Sequence, residues 1–106
     1  MNKLTTITAF TFLALSMQNA NAAEHEVAQK NKSFTVKTLQ INVGDVVSFP
    51  NQDPFFHNVF SLSAVKTFDL GSYKKGQTKK ITFDKPGTIQ VECAIHPKMQ
   101  MTIEVK

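Results

Sequence analysis

The chain has 106 residues, a formal net charge of +4 and a single cysteine. This length accommodates one domain rather than two, and one cysteine excludes an internal disulfide. The basic side chains are all lysines, which argues against a nucleic-acid-binding protein, because arginine makes the bidentate contacts to phosphate and guanine.

Residues 1–22 have the three-part pattern of a secretory signal peptide. Lys3 precedes an apolar run over residues 7–17, and Ala20-Asn21-Ala22 fits the small-residue cleavage rule. We therefore expect cleavage after Ala22, with cleavage after Ala23 as the alternative. The apolar run is shorter than the roughly 20 residues that span a bilayer. These features predict a periplasmic protein without a membrane anchor, whose mature chain begins with a flexible arm over residues 23–32.

From residue 33 onward the apolar residues recur with a period of two, which is typical of half-buried β-strands. Turn-forming residues interrupt the pattern at residues 50–54, 71–76 and 84–87. No part of the predicted mature chain has a sustained helical period. The pattern predicts a single all-β sandwich domain over residues 33–106. The apolar positions that define the strands are Phe34, Val36, Leu39, Ile41, Val43, Val47, Phe49, Val59, Ile81, Phe83, Ile89, Val91, Met101, Ile103 and Val105.

Cys93, His96 and Met99 lie close together in one predicted loop between two strands. With the distant His57 they supply a thiolate, two imidazoles and a thioether, which is the ligand set of blue-copper electron-transfer sites. Each residue alone has an ordinary structural explanation. Their combination in an exported β-domain predicts a copper site.

Two segments carry a resemblance to a known family. Cys93-x-x-His96-Pro97-x-Met99 and His57-Asn58-Val59-Phe60 resemble the copper-binding segments of amicyanins and plastocyanins, which are small cupredoxins. The resemblance covers about residues 39–106. It implies a Greek-key β-sandwich in which His57, Cys93, His96 and Met99 ligate one copper. It also implies that Asn58 ties the two ligand segments together by hydrogen bonds.

The axial ligand has two candidates. Met101 has the offset from His96 that plastocyanins use in a longer loop, whereas Met99 has the offset of the amicyanin loop. We favour Met99, because Met101 alternates with Ile103 and Val105 and is therefore predicted to belong to the core.

The resemblance implies an electron-transfer protein, a monomer that docks a redox protein partner at its His96 end. Four protein ligands leave no open position for a substrate, so we do not expect an enzyme. The alternative is a periplasmic copper-tolerance protein that binds copper and delivers it to an acceptor protein. A structural zinc domain is the weaker reading, because a thioether is a poor zinc ligand.

The predicted mature N-terminus suggests a second, weaker copper site. Cleavage after Ala22 leaves Ala23-Glu24-His25, with an imidazole at the third position behind a free α-amino group. These nitrogens and the two intervening amide nitrogens can form the square-planar set that Cu(II) favours. Such a site would favour the copper-handling function.

Overall fold

The computed structural model describes residues 22–106, so the predicted signal peptide lies outside the described residues apart from Ala22. The described chain forms eight β-strands and contains no helix. The strands are β1 (Glu24–Glu26), β2 (Thr38–Ile41), β3 (Val46–Pro50), β4 (His57–Ser61), β5 (Phe68–Tyr73), β6 (Thr78–Thr82), β7 (Gly87–Glu92) and β8 (Gln100–Val105).

The strands form two sheets, one in the order β1-β3-β6 and the other in the order β2-β8-β7-β4-β5. The pairs β1–β3 and β2–β8 are parallel, and the remaining pairs are antiparallel. Val47 and Phe49 of β3 share one hydrophobic core with Ile89 and Val91 of β7. This arrangement confirms the predicted all-β sandwich. Within residues 22–106, no helix has the length and hydropathy to span a membrane.

The period-two pattern identifies β7 and β8 correctly, but it is wrong elsewhere. Val36 and Val43 lie outside the strands, Val43 is 48% exposed, and β5 runs into the turn predicted at residues 71–76. On β8, Met101, Ile103 and Val105 are buried and alternate with more exposed residues. Ile89 and Val91 of β7 are buried in the same way. Since side chains on a strand point alternately to the two faces of the sheet, this alternation directs one face into the core.

The segment predicted to be a loose arm, residues 23–32, is built into the sandwich, which differs from the expectation. It contains β1, and Val27 and Gln29 are fully buried. The Gln29 side-chain amide donates to the Tyr73 hydroxyl at 2.7 Å, and that hydroxyl donates to the Phe49 carbonyl oxygen at 2.7 Å. Burial raises the pKa of Tyr73 to about 12. The segment is ordered because its backbone pairs with β3 at an edge of the smaller sheet. Its polar composition gives no sign of this pairing.

Asp45 anchors the start of β1. Its buried carboxylate accepts hydrogen bonds from the Asn42 amide at 3.0 Å, the His25 Nε2 atom at 2.9 Å and the Ala23 amide at 3.0 Å. These hydrogen bonds stabilise the ionised carboxylate and lower the pKa of Asp45 from 3.8 to about 2. The carboxylate therefore joins the N-terminal segment to the turn that precedes β3.

We expect Asp45→Asn to remove an acid-sensitive part of the stability of the metal-free protein. Because the folded-state pKa of Asp45 is depressed, its contribution is complete above pH 3.8 and is lost as the pH falls towards about 2. The variant should therefore be less stable than wild type at neutral pH, and the difference should shrink in acid. Urea unfolding at several pH values measures this. A difference that stays constant with pH would contradict the assignment.

Candidate metal centre

The predicted ligand residues lie at one end of the larger sheet. His57 is the first residue of β4, and Cys93 directly follows the last residue of β7. Strands β4 and β7 are antiparallel neighbours, with Phe60 opposite Glu92. The beginning of β4 therefore lies beside the end of β7, which brings His57 and Cys93 together although they are far apart in sequence.

Three predicted ligands converge on one point. The ligand atoms offered by His57, Cys93 and His96 all lie within 4.8 Å of one another. The two histidine Nδ1 atoms are 3.2 Å apart, and the Cys93 Sγ atom is 3.7 Å from the His57 Nδ1 atom. His57 is fully buried and Cys93 is 1% exposed, so these two donors are shielded from water.

Asn58 connects the two ligand segments, as the family resemblance implied. Its side-chain oxygen accepts a hydrogen bond from the Ala94 amide at 2.9 Å, and its own backbone amide points to the Cys93 Sγ atom at 3.4 Å. The Asn58 side-chain amide donates to Asp69 at 2.9 Å, which fixes the orientation of the Asn58 side chain. These bonds hold the position of Cys93 relative to His57.

The loop from Cys93 to Met99 is closed by its own backbone. The Met99 amide donates to the His96 carbonyl oxygen at 2.8 Å, and the Cys93 amide donates to the Met99 carbonyl oxygen at 3.2 Å. Met99 is buried directly before β8. Met101 is buried within β8, where it pairs with Val91. The two methionines thus differ in setting, one in the ligand loop and the other in the regular sheet.

Asp53 contacts the outer side of the His57 ring, and the sequence analysis did not identify it. One oxygen of its buried carboxylate lies 2.7 Å from the His57 Nε2 atom. Burial alone raises the pKa of Asp53, but hydrogen bonds from His57, Lys32 and Asn31 outweigh this effect and hold the pKa below its usual range. A carboxylate on the far nitrogen of a ligand histidine is a common outer partner in metal sites.

His96 lies at the surface edge of the cluster and is partly exposed. Desolvation lowers the pKa of His96, and the nearby His57 and Lys32 lower it further. Both effects favour the neutral imidazole, which is the form that binds metals. The Phe55 ring packs against both histidines, with its centroid 5.3 Å from that of His57 and 5.2 Å from that of His96.

The exposed surface around His96 is apolar at its centre. Ile95, next to His96 in the chain, is 46% exposed, and Phe56, next to His57, is 54% exposed. Lys32 and Lys98 border a shallow depression that His96 and its neighbours line. The result is an apolar patch with a basic margin.

The donor set fits copper. Two imidazole nitrogens face one another beside a cysteine sulfur, and this combination of nitrogen and soft sulfur donors suits a copper electron-transfer site. An ion at this point would bind both nitrogen lone pairs. His25, the residue of the predicted second site, lies elsewhere, with its Nε2 atom bound to Asp45.

A family model described as the cupredoxin-like domain matches residues 3–105 of the chain. Two proteins of Methylorubrum extorquens are similar in sequence. Amicyanin-alpha is 28% identical over 94 residues, which cover 86% of this chain and 79% of the relative. Methylamine utilization protein MauL is 30% identical over 105 residues, which cover 96% of this chain and 90% of the relative.

Solved structures agree with the sequence relatives. A Cu(I) form of an amicyanin variant aligns with a TM-score of 0.73 and 26% identity over 78% of this chain and 82% of that chain. The copper-containing nitrite reductase of Thermus scotoductus aligns with a TM-score of 0.73 and 31% identity over 78% of this chain, but over only 22% of the reductase. The family match spans nearly the whole sequence, and the chain therefore belongs to the cupredoxin-like family.

Proposed function

We propose that the protein is a periplasmic electron carrier in which His57, Cys93, His96 and Met99 hold one copper ion. The observation that carries this proposal is the convergence of two imidazoles and a thiolate within 4.8 Å at one end of the sandwich. Copper bound there supplies a one-electron couple between Cu(I) and Cu(II). In this proposal Met99 is the weak fourth ligand, and its place at the closure of the loop that contains Cys93 and His96 supports this assignment.

The surroundings of the cluster suit electron transfer. Asn58 and the loop hydrogen bonds hold the ligand segments in fixed positions, so the donor atoms need to move little between the two oxidation states. His57 and Cys93 are buried, which favours retention of the metal. Four protein ligands leave no place for a substrate, and we therefore propose a carrier and not an enzyme.

The proposed docking surface is the apolar patch around His96. Of the three clustered donors, His96 is the one that reaches solvent, and Ile95 beside it is exposed. A redox protein that covers this patch would contact the ring of a copper ligand directly. Lys32 and Lys98 at the margin favour a partner with acidic residues around its own redox centre. In this proposal the carrier is a monomer.

Copper addition to the reduced metal-free protein should produce an intense visible thiolate-to-copper band. Cys93→Ser should abolish that band, because Cys93 is the only cysteine in the chain. His25→Ala is the control and should keep the band, since the His25 ring binds Asp45 and is not part of the cluster. Visible and electron paramagnetic resonance spectra measure both effects. A band that survives in Cys93→Ser would refute the proposed site.

The two methionines should respond differently to substitution by leucine. Met99→Leu should change the copper spectrum and raise the reduction potential, because a weak axial thioether tunes the copper. Met101→Leu should change mainly the free energy of unfolding, since Met101 is a core residue of β8. Spectra, potentials and urea unfolding of both variants test this. The reverse ranking would assign the axial role to Met101.

Copper handling is the second candidate function, and the N-terminal sequence Ala23-Glu24-His25 favours it. The predicted square-planar Cu(II) site needs the α-amino group, two backbone amides and the His25 ring. In the fold, the Ala23 amide and the His25 ring bind Asp45, and β1 pairs with β3. Cu(II) at this site must therefore displace Asp45 and release the beginning of β1, which makes the site weak.

Because Cu(II) and Asp45 compete for Ala23 and His25, the second site can be tested. After mass spectrometry has identified the mature N-terminus, calorimetry should detect a second, weak Cu(II) in wild type and none in His25→Ala. Asp45→Asn should bind the second Cu(II) more tightly, because it weakens the contacts that hold Ala23 and His25. A mature chain that begins at Glu24, or a stoichiometry of one in both wild type and Asp45→Asn, would exclude the site.

A further inference from the structure

A tight turn in the N-terminal segment reaches the metal centre. Lys30 and Ser33 exchange backbone hydrogen bonds of 2.9 and 3.1 Å, which closes a hairpin around Asn31 and Lys32. The φ angles of Asn31 and Lys32 are 56° and 57°. Two consecutive residues with positive φ form the type I′ hairpin turn, which usually contains asparagine and glycine. Lys32 occupies the second position, where its Cβ atom makes this conformation unfavourable.

The two strained residues point their amides at one carboxylate. The Asn31 amide donates to one Asp53 oxygen at 2.7 Å, and the Lys32 amide donates to the other at 2.9 Å. The second oxygen is also the one that contacts His57 at 2.7 Å. The Asp53 backbone amide donates to the Asn51 side-chain oxygen at 2.8 Å. Asp53 is thus fixed from both its backbone and its side chain.

The charge of Asp53 is compensated weakly. Within residues 22–106, no lysine forms an ion pair with it, and its one ionic partner is the ring of His57. Its remaining partners are neutral amides, and it is 4% exposed. The negative charge therefore acts on His57 with little screening by water.

This contact selects one form of the His57 ring. A carboxylate at Nε2 favours a proton on Nε2, which leaves the lone pair of Nδ1 free. Nδ1 is the atom that faces His96 and Cys93. The same negative charge makes the His57 imidazole a stronger electron-pair donor to a metal. It therefore favours Cu(II) over Cu(I) at the proposed site.

We propose that Asp53, held by the left-handed Asn31–Lys32 turn, is a positioning residue for His57 that biases the centre towards Cu(II). This inference rests on the proposed role of His57 as a copper ligand. It makes the N-terminal hairpin a part of the metal centre, and it explains why the chain keeps Lys32 in a conformation that glycine would adopt more easily.

Asp53→Asn tests the role of the charge, because it keeps the size of the side chain and one acceptor oxygen. The Cu(II) affinity should fall roughly 10- to 100-fold, as for other outer partners of ligand histidines, and the Cu(I) affinity should fall less. For a one-electron couple, a tenfold change in the ratio of the two affinities raises the reduction potential by about 59 mV. Asp84→Asn, the same change at an exposed carboxylate paired with Lys66, should leave the potential unchanged.

The turn itself is tested by two substitutions of Asn31, whose side chain is exposed. Asn31→Gly accepts positive φ and should keep the wild-type potential, whereas Asn31→Val resists it and should raise the potential. In Asn31→Val combined with Asp53→Asn, the two shifts should not add, since both changes act through one carboxylate. An unchanged potential in Asp53→Asn with the copper band intact would overturn the proposal. So would equal potentials in Asn31→Gly and Asn31→Val.

The ring form of His57 can be measured without copper, which separates this inference from the proposed function. Nitrogen-15 NMR of the metal-free protein should show His57 protonated at Nε2 in wild type and a mixture of both tautomers in Asp53→Ala. Protonation at Nδ1 in wild type would overturn the inference, whatever the copper spectra show. A wild-type protein that has the expected tautomer and gives no copper band would refute the proposed function and the Cu(II) bias, whereas the positioning of His57 by Asp53 would stand.

Discussion

The fold has to hold three electron-rich atoms against one another inside a small protein. The two histidine Nδ1 atoms are 3.2 Å apart beside a buried sulfur, so a proton or a cation has to lie between their lone pairs. The antiparallel pairing of β4 with β7 brings the two chain segments together, and Asn58 locks them. The sandwich thus fixes the relative positions of these donor atoms, which is what the proposed electron transfer with little rearrangement requires.

The N-terminal segment supports the proposed metal centre, although it supplies none of the four proposed ligands. Val27 and Gln29 are buried in the sandwich, and this anchoring positions the hairpin that follows them. The hairpin presents its amides to Asp53, which in turn contacts His57. A chain of short hydrogen bonds therefore connects the edge of the smaller sheet to the proposed metal ligands in the larger one.

Sequence reasoning predicted the parts that depend on local pattern. Strands β7 and β8 alternate buried and more exposed residues because one face of each is buried, and Cys93, His96 and Met99 lie within one seven-residue segment. Strand β1 was missed because its Glu-His-Glu sequence has no apolar period. Asp53 was missed because its contacts with residues 31, 32 and 57 depend on tertiary structure. The ligand roles themselves remain predictions.

The position of β8 couples the loop that holds Cys93, His96 and Met99 to the closure of the larger sheet. Strand β8 lies between β2 and β7, and it begins directly after Met99. Without β8 the sheet has a gap, and the loop is anchored only at its β7 end. The proposed ligands therefore reach their final positions only when the larger sheet is complete.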